Sequence, residues 1–169
     1  NIVSLLRFYK NICRVNENLF ELKQYIDYSI MSMDSFVENN KNHCYYYDFC
    51  QDVDKNSKVL KKIQEQLSGI YSGQFSFLKS GDLGYMLKSY YILYNEKEYE
   101  DGLRFSFSFE GYMNNLNGLF ENMESKYIKQ ATYDSETSSQ IMNQYYPPYL
   151  NDNYTTNDCK LDKNMVITG

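Results

Sequence analysis

The chain has 169 residues, 43% of them apolar, with a net charge of −5 and a pI near 4.9. That length suits one domain, or a domain with a structured tail. The acidic balance, with no basic run longer than Lys61-Lys62, excludes the positive footprint that nucleic-acid binding needs. No stretch reaches the about 18 consecutive apolar residues of a membrane span, so no transmembrane segment is expected.

Residues 2–37 carry apolar side chains at helical spacing, among them Leu5, Ile12, Leu19, Ile26, Ile30 and Met33, without Gly or Pro. This predicts one long helix, or two with a bend near Asn16-Glu17-Asn18. Asn39-Asn40-Lys41-Asn42 ends it, because asparagine side chains compete with the helix for backbone hydrogen bonds. Residues 44–50 read as a short hairpin-like connection. Val59, Leu60, Ile63, Leu67 and Ile70 share a face and predict a second helix over 57–71, closed near Gly73. Asp82 can cap a third helix, which carries Leu83, Met86 and Leu87 together with Tyr90, Tyr91 and Tyr94 on a core face.

Gly102 marks the next expected break, with Glu98, Glu100 and Asp101 in a charged loop before it. After it, Leu103, Phe105, Phe107 and Phe109 alternate with polar residues, so a short strand at 103–109 is possible. A helical stripe through Phe107, Met113, Leu116, Phe120 and Tyr127 runs further, and its length favours a helix over 107–130. Gly111 and Gly118 would then mark close helix contacts. Thr137 to Gln140 fits a capping box for a short helix ending near Gln144, and Pro147-Pro148 stops it. The expected fold is all-α: an antiparallel bundle of three to four helices over residues 1–131, with residues 132–169 as a short helix and extended arm packed on it.

Four cysteines, Cys13, Cys44, Cys50 and Cys159, allow three full pairings. The five residues between Cys44 and Cys50 suit a local bridge, which leaves Cys13 to tether the arm through Cys159. Asn153-Tyr154-Thr155 is a glycosylation sequon. With the even cysteine count it points to a secreted or cell-surface protein. The chain begins at Asn1 and shows no cleavable signal, which fits a mature product or an excised piece of a longer protein.

His43 is the sole histidine, so a Ser/His/Asp or Cys/His site would have to use it. It stands in an Asn-rich loop without partners at suitable spacing. His43, Cys44 and Cys50 are zinc-ligand types, but the paired short spacings of a zinc site are absent. Phosphate loops, nucleophile elbows and calcium loops are also absent. No catalytic residue, metal or cofactor is assigned, and the chain is read as a non-enzyme.

Tyrosine clusters stand out instead. Tyr offers large contact area, a polar tip and few rotatable bonds, which binding surfaces favour. Three consecutive rings at Tyr45, Tyr46 and Tyr47 cannot all point inward, so these are the candidate partner-binding residues.

The run Cys44-Tyr-Tyr-Tyr-Asp-Phe-Cys50 after a long helix, followed by Val59-Leu60-Lys61-Lys62-Ile63, resembles helical surface and invasion proteins of malaria parasites. Reticulocyte-binding-like ligands are nearest and merozoite surface proteins next. The resemblance implies a non-catalytic extracellular protein that binds a host receptor or another surface protein. The expected function is therefore protein–protein recognition or adhesion. The alternative is a small-molecule carrier with an aromatic-lined cavity between helices.

Overall fold

The structure, a computed structural model, describes residues 2–71, 80–125, 127–132, 140–145, 157–160 and 164. The chain divides into two compact units, Asn1–Asn114 and Asn115–Gly169.

The first unit is all-α. Its frame is a helical hairpin of α1 (Ile2–Asn40) and α2 (Tyr47–Gln66), joined by a short turn and the 3₁₀ turn Cys44–Tyr46. α1 is one continuous helix through Asn16. α2 begins ten residues before the expected start: Cys50, Val53, Ser57 and Leu60 are all buried along one stripe that continues to Ile63. Asp48 lies in the first turn of α2, where the helix dipole favours a negative charge.

Polar contacts beside the seam set the register. Ser57 Oγ donates to Asp34 Oδ1 at 2.6 Å, and Lys61 pairs with Asp34 Oδ2 at 2.7 Å. Gln64 Nε2 donates to Asp27 Oδ1 at 2.7 Å, Lys23 Nζ to the Ser68 and Ile70 carbonyls at 3.2 and 3.3 Å, and Asn16 Nδ2 to the Tyr71 carbonyl at 3.1 Å. Partners descend in α1 as they rise in α2, so the helices run antiparallel. Lys23 also places a cation at the C-terminal end of α2, where unpaired carbonyls collect.

α3 (Ser80–Asn95) docks on that same end. Tyr85 Oη and Ser89 Oγ both donate to the Gln66 carbonyl, at 2.7 and 3.1 Å, and the Gly69 amide donates to Tyr85 Oη at 3.1 Å. Met86 and Ser89 are buried, but Tyr90, Tyr91 and Tyr94 are exposed and do not form the expected core face. A break of one residue at Glu96 leads into α4 (Lys97–Glu124).

α4 replaces both the charged loop and the possible strand at 103–109. Gly102, Ser106 and Phe109 are its buried stripe, and two of the three are too small to register as apolar spacing. The alternating Phe residues split between sides of the helix, Phe107 stacking on Tyr25 at 4.7 Å between ring centroids. Lys62 pairs with Glu98 at 2.9 Å, Gly102 abuts Val59 and Phe49 meets Tyr112, so α4 runs antiparallel to α2. The tight glycine here is Gly102. A side chain on Gly111 or Gly118 would meet nothing among the described residues.

In the second unit, α4 ends at Glu124, six residues short of expectation. Residues 137–139 lie outside the described residues, and the short helix expected through Gln144 is instead strand β1 (Gln140–Tyr145). It pairs antiparallel with β2 (Asn157–Lys160), Gln140 opposite Lys160 and Ile141 opposite Cys159, with a register shift before Tyr145 opposite Asn157. No described helix is long and apolar enough to cross a membrane.

The expected disulfides are not made: Cys13, Cys44 and Cys50 are free thiols. Cys44 stands exposed on the 3₁₀ turn, whereas Cys50, one helical turn into α2, is buried against the core. Burial pushes the Cys50 thiol above its ordinary pKa, which keeps it protonated and poorly nucleophilic. Cys13, one turn along α1 from Tyr9, is one of these free thiols and does not make the expected tether to Cys159.

Candidate functional site

The corner between α1 and α2 faces α4 across a cluster of rings. Phe36 of α1 is at its centre, edge-to-face with Tyr46 at 5.9 Å, with Phe49 at 5.5 Å and with Phe109 at 5.5 Å. Phe49 in turn meets Phe109 at 6.3 Å and Tyr112 at 5.5 Å. All but the tilted Phe49–Phe109 pair are near perpendicular and match positive ring edges to negative faces.

Beside these rings lies an open groove of about 360 Å³, lined by Tyr45, Tyr46, Phe49, Phe105, Ser108, Phe109 and Tyr112. Phe49 and Phe109 give it an apolar floor, and polar atoms come from three phenols and Ser108. A side-chain hydrogen bond with Tyr46, together with burial, raises the pKa of Tyr112. Tyr112 is thus neutral near pH 7, and the residues that line the groove include no acidic or basic side chain.

The three candidate tyrosines divide. Tyr45 is 96% exposed on the rim, Tyr47 is 56% exposed at the start of α2, and Tyr46 is half-buried against Phe36. Two therefore present surface and the third is part of the wall. The sequence alone did not find Phe105, Ser108, Phe109 and Tyr112, because they lie about sixty residues further along the chain. Their signal was the Phe alternation that competed with the helical stripe.

His43 precedes the 3₁₀ turn with an exposed side chain that makes no capping bond, while its carbonyl accepts from the Tyr46 amide at 3.0 Å. Among the described residues, no group of three or more His, Cys, Asp or Glu side chains could hold a metal ion. Asn153 lies outside the described residues. The arrangement offers an apolar slot with hydroxyls at its edge, which is a means of gripping a side chain.

No protein-family model matches the chain, and no curated protein or solved structure matches it either. The groove is therefore interpreted from its own residues.

Proposed function

We propose that this chain is a non-catalytic protein-recognition module that takes an apolar or aromatic side chain of a protein partner into the groove beside Tyr45. The observation that carries this reading is Tyr45 itself, a large ring held 96% exposed at the rim of an aromatic-lined slot. An exposed aromatic cluster costs solubility unless something covers it. Its mounting on a 3₁₀ turn that runs directly into α2 limits the ordering entropy lost on binding. Helical rigidity here takes the place of the expected disulfide.

The finer part of the proposal is adhesion at a secreted or cell-surface location, with a host receptor or another surface protein as the partner. It rests on the resemblance to malaria-parasite surface proteins, since the free thiols remove the cysteine argument for an oxidising compartment. Small-molecule carriage is the second reading. The volume of the groove lies within the range of ligand sites, but such sites enclose most of their ligand, and this one is open.

Binding of the full chain to host-cell surface proteins tests the proposal. Tyr45→Ala should weaken binding by about 1–2 kcal/mol, as for a moderate hot spot, and change folding stability by less than about 0.5 kcal/mol, as for most surface substitutions. Unchanged affinity would remove the rim from the partner surface. Saturable uptake of a small aromatic dye without any protein partner would favour the carrier.

A further inference from the structure

Of the polar contacts beside the seam, Asn16 makes the one nearest the start of α1, to the Tyr71 carbonyl beyond α2, and Ile12 is the first buried residue of the helix. About four turns of α1 precede Asn16, a length of roughly 21 Å at 1.5 Å per residue. On these turns Ile2, Leu5 and Leu6 lie on one side of the helix and are 78%, 62% and 56% exposed. Phe8 and Tyr9 make contacts of their own and are left out of this face. Arg7, Lys10 and Arg14 recur along one border of it at helical spacing. The first acidic residue is Glu17, so the opening sixteen residues carry three positive charges in a chain whose net charge is −5. Among the described residues none of these three cations makes an ion pair.

We propose that the first four turns of α1 carry a docking surface for anionic lipid. The helix would lie in the plane of the bilayer surface, with Ile2, Leu5 and Leu6 entering the boundary between headgroups and acyl chains. Arg7, Lys10 and Arg14 border that face, where their long stems can lie along the apolar surface while the charges reach phosphate and carboxylate headgroups. Charge decides between this occupant and a second copy of the chain. Burying two such faces against each other draws together two rows of unpaired cations, whereas an anionic surface neutralises them. This inference does not rest on the recognition reading, because the groove uses other residues on other helices.

Flotation of the full chain with vesicles tests it. Vesicles of phosphatidylcholine with phosphatidylserine should carry the protein, and phosphatidylcholine alone should not. High salt should release it, since surface charges are screened. The triple variant Arg7→Gln, Lys10→Gln, Arg14→Gln keeps good helix formers and should bind about a hundredfold more weakly, the combined effect of three surface cations. Leu6→Asp should abolish flotation while the circular dichroism of the chain stays helical. Equal binding to neutral vesicles, or flotation of the triple variant at full strength, would overturn the proposal. A dimer in sedimentation equilibrium that Leu6→Asp disperses, in a chain that ignores vesicles, would assign the face to a second copy. The salt dependence of the native chain decides the question even where a variant misfolds.

Discussion

The α1–α2 seam and the aromatic corner belong to the same hairpin, yet they close to different degrees. Along the seam, Leu19, Ile26 and Met33 of α1 and Val53, Leu60 and Ile63 of α2 are all buried. Branched and flexible aliphatic chains interdigitate to crystal-like density, and the flanking bonds of Asp34, Asp27 and Lys23 fix one register. At the corner, Phe36 meets Phe49 and Phe109 edge to face while those two rings are tilted against each other, and beside them lies a groove of about 360 Å³. The contrast teaches that this chain makes stability with aliphatics and an opening with aromatics. It also separates the substitutions that should unfold the protein from those that should only blunt its surface.

Leu60→Ala should have the largest effect. The side chain is fully buried on the seam, and such truncations cost about 2–5 kcal/mol from lost transfer energy plus the cavity left behind. Urea denaturation measures it. A loss no larger than that of Tyr45→Ala would erase the distinction between seam and corner.

Much of the seam was legible in the sequence, because Leu19, Ile26 and Met33 recur every seven residues with Ile12 before them. The start of α2 was not. Asp48, Asp52, Asp54 and Asn56 make residues 48–56 look like a loop, although Cys50, Val53 and Ser57 form the buried stripe. Cysteine spacing reinforced that misreading by suggesting a bridge across what is helix. The start of α4 was hidden for a different reason: its buried positions are Gly102 and Ser106, and small side chains give no hydrophobic periodicity. Tyr45 and Tyr47 were found because local crowding alone forbids three consecutive buried rings. The rest of the groove depends on bringing Phe49 against Phe109 and Tyr112, a long-range pairing that spacing within one segment does not encode.

Gly102→Ala should come next and tests how tightly α4 closes on the hairpin. A Cβ there would lie 2.7 Å from Val59 Cγ1 and 3.2 Å from Val59 Cβ. Valine in a helix is nearly confined to one rotamer, so it cannot swing aside. Overpacking of this kind costs about 1–3 kcal/mol, and the better helix propensity of alanine returns up to about 1 kcal/mol. A net loss of about 1–2 kcal/mol is expected. Adding Val59→Ala should make the double variant less destabilised than the sum of the two singles, as a double-mutant cycle would show. Strict additivity would mean that the helices have room to separate.

Asp34→Asn should have the smallest effect, and its pH dependence is the sharper readout. Burial alone would raise the Asp34 carboxyl, but the hydrogen bonds from Lys61 and Ser57 and the charge of Lys61 outweigh it and hold the pKa below the ordinary value. A carboxyl depressed by folding contributes stability that is fully present above its unfolded pKa of about 3.9. That contribution fades as the pH falls through the lower folded value, because below it both states bind the proton. The Asp34 side chain is 44% exposed and Lys61 46%, so the pair is screened and its contribution near neutral pH is at most about 1 kcal/mol. The native chain and Asp34→Asn should therefore differ by that small amount in urea midpoint at pH 7 and converge as the pH drops below about 4. Lys61→Met should reproduce most of the loss without disturbing the Ser57 bond. A gap that persists at pH 2 would mean that Asp34 acts through packing along the seam, and the register would then belong to the aliphatic side chains alone.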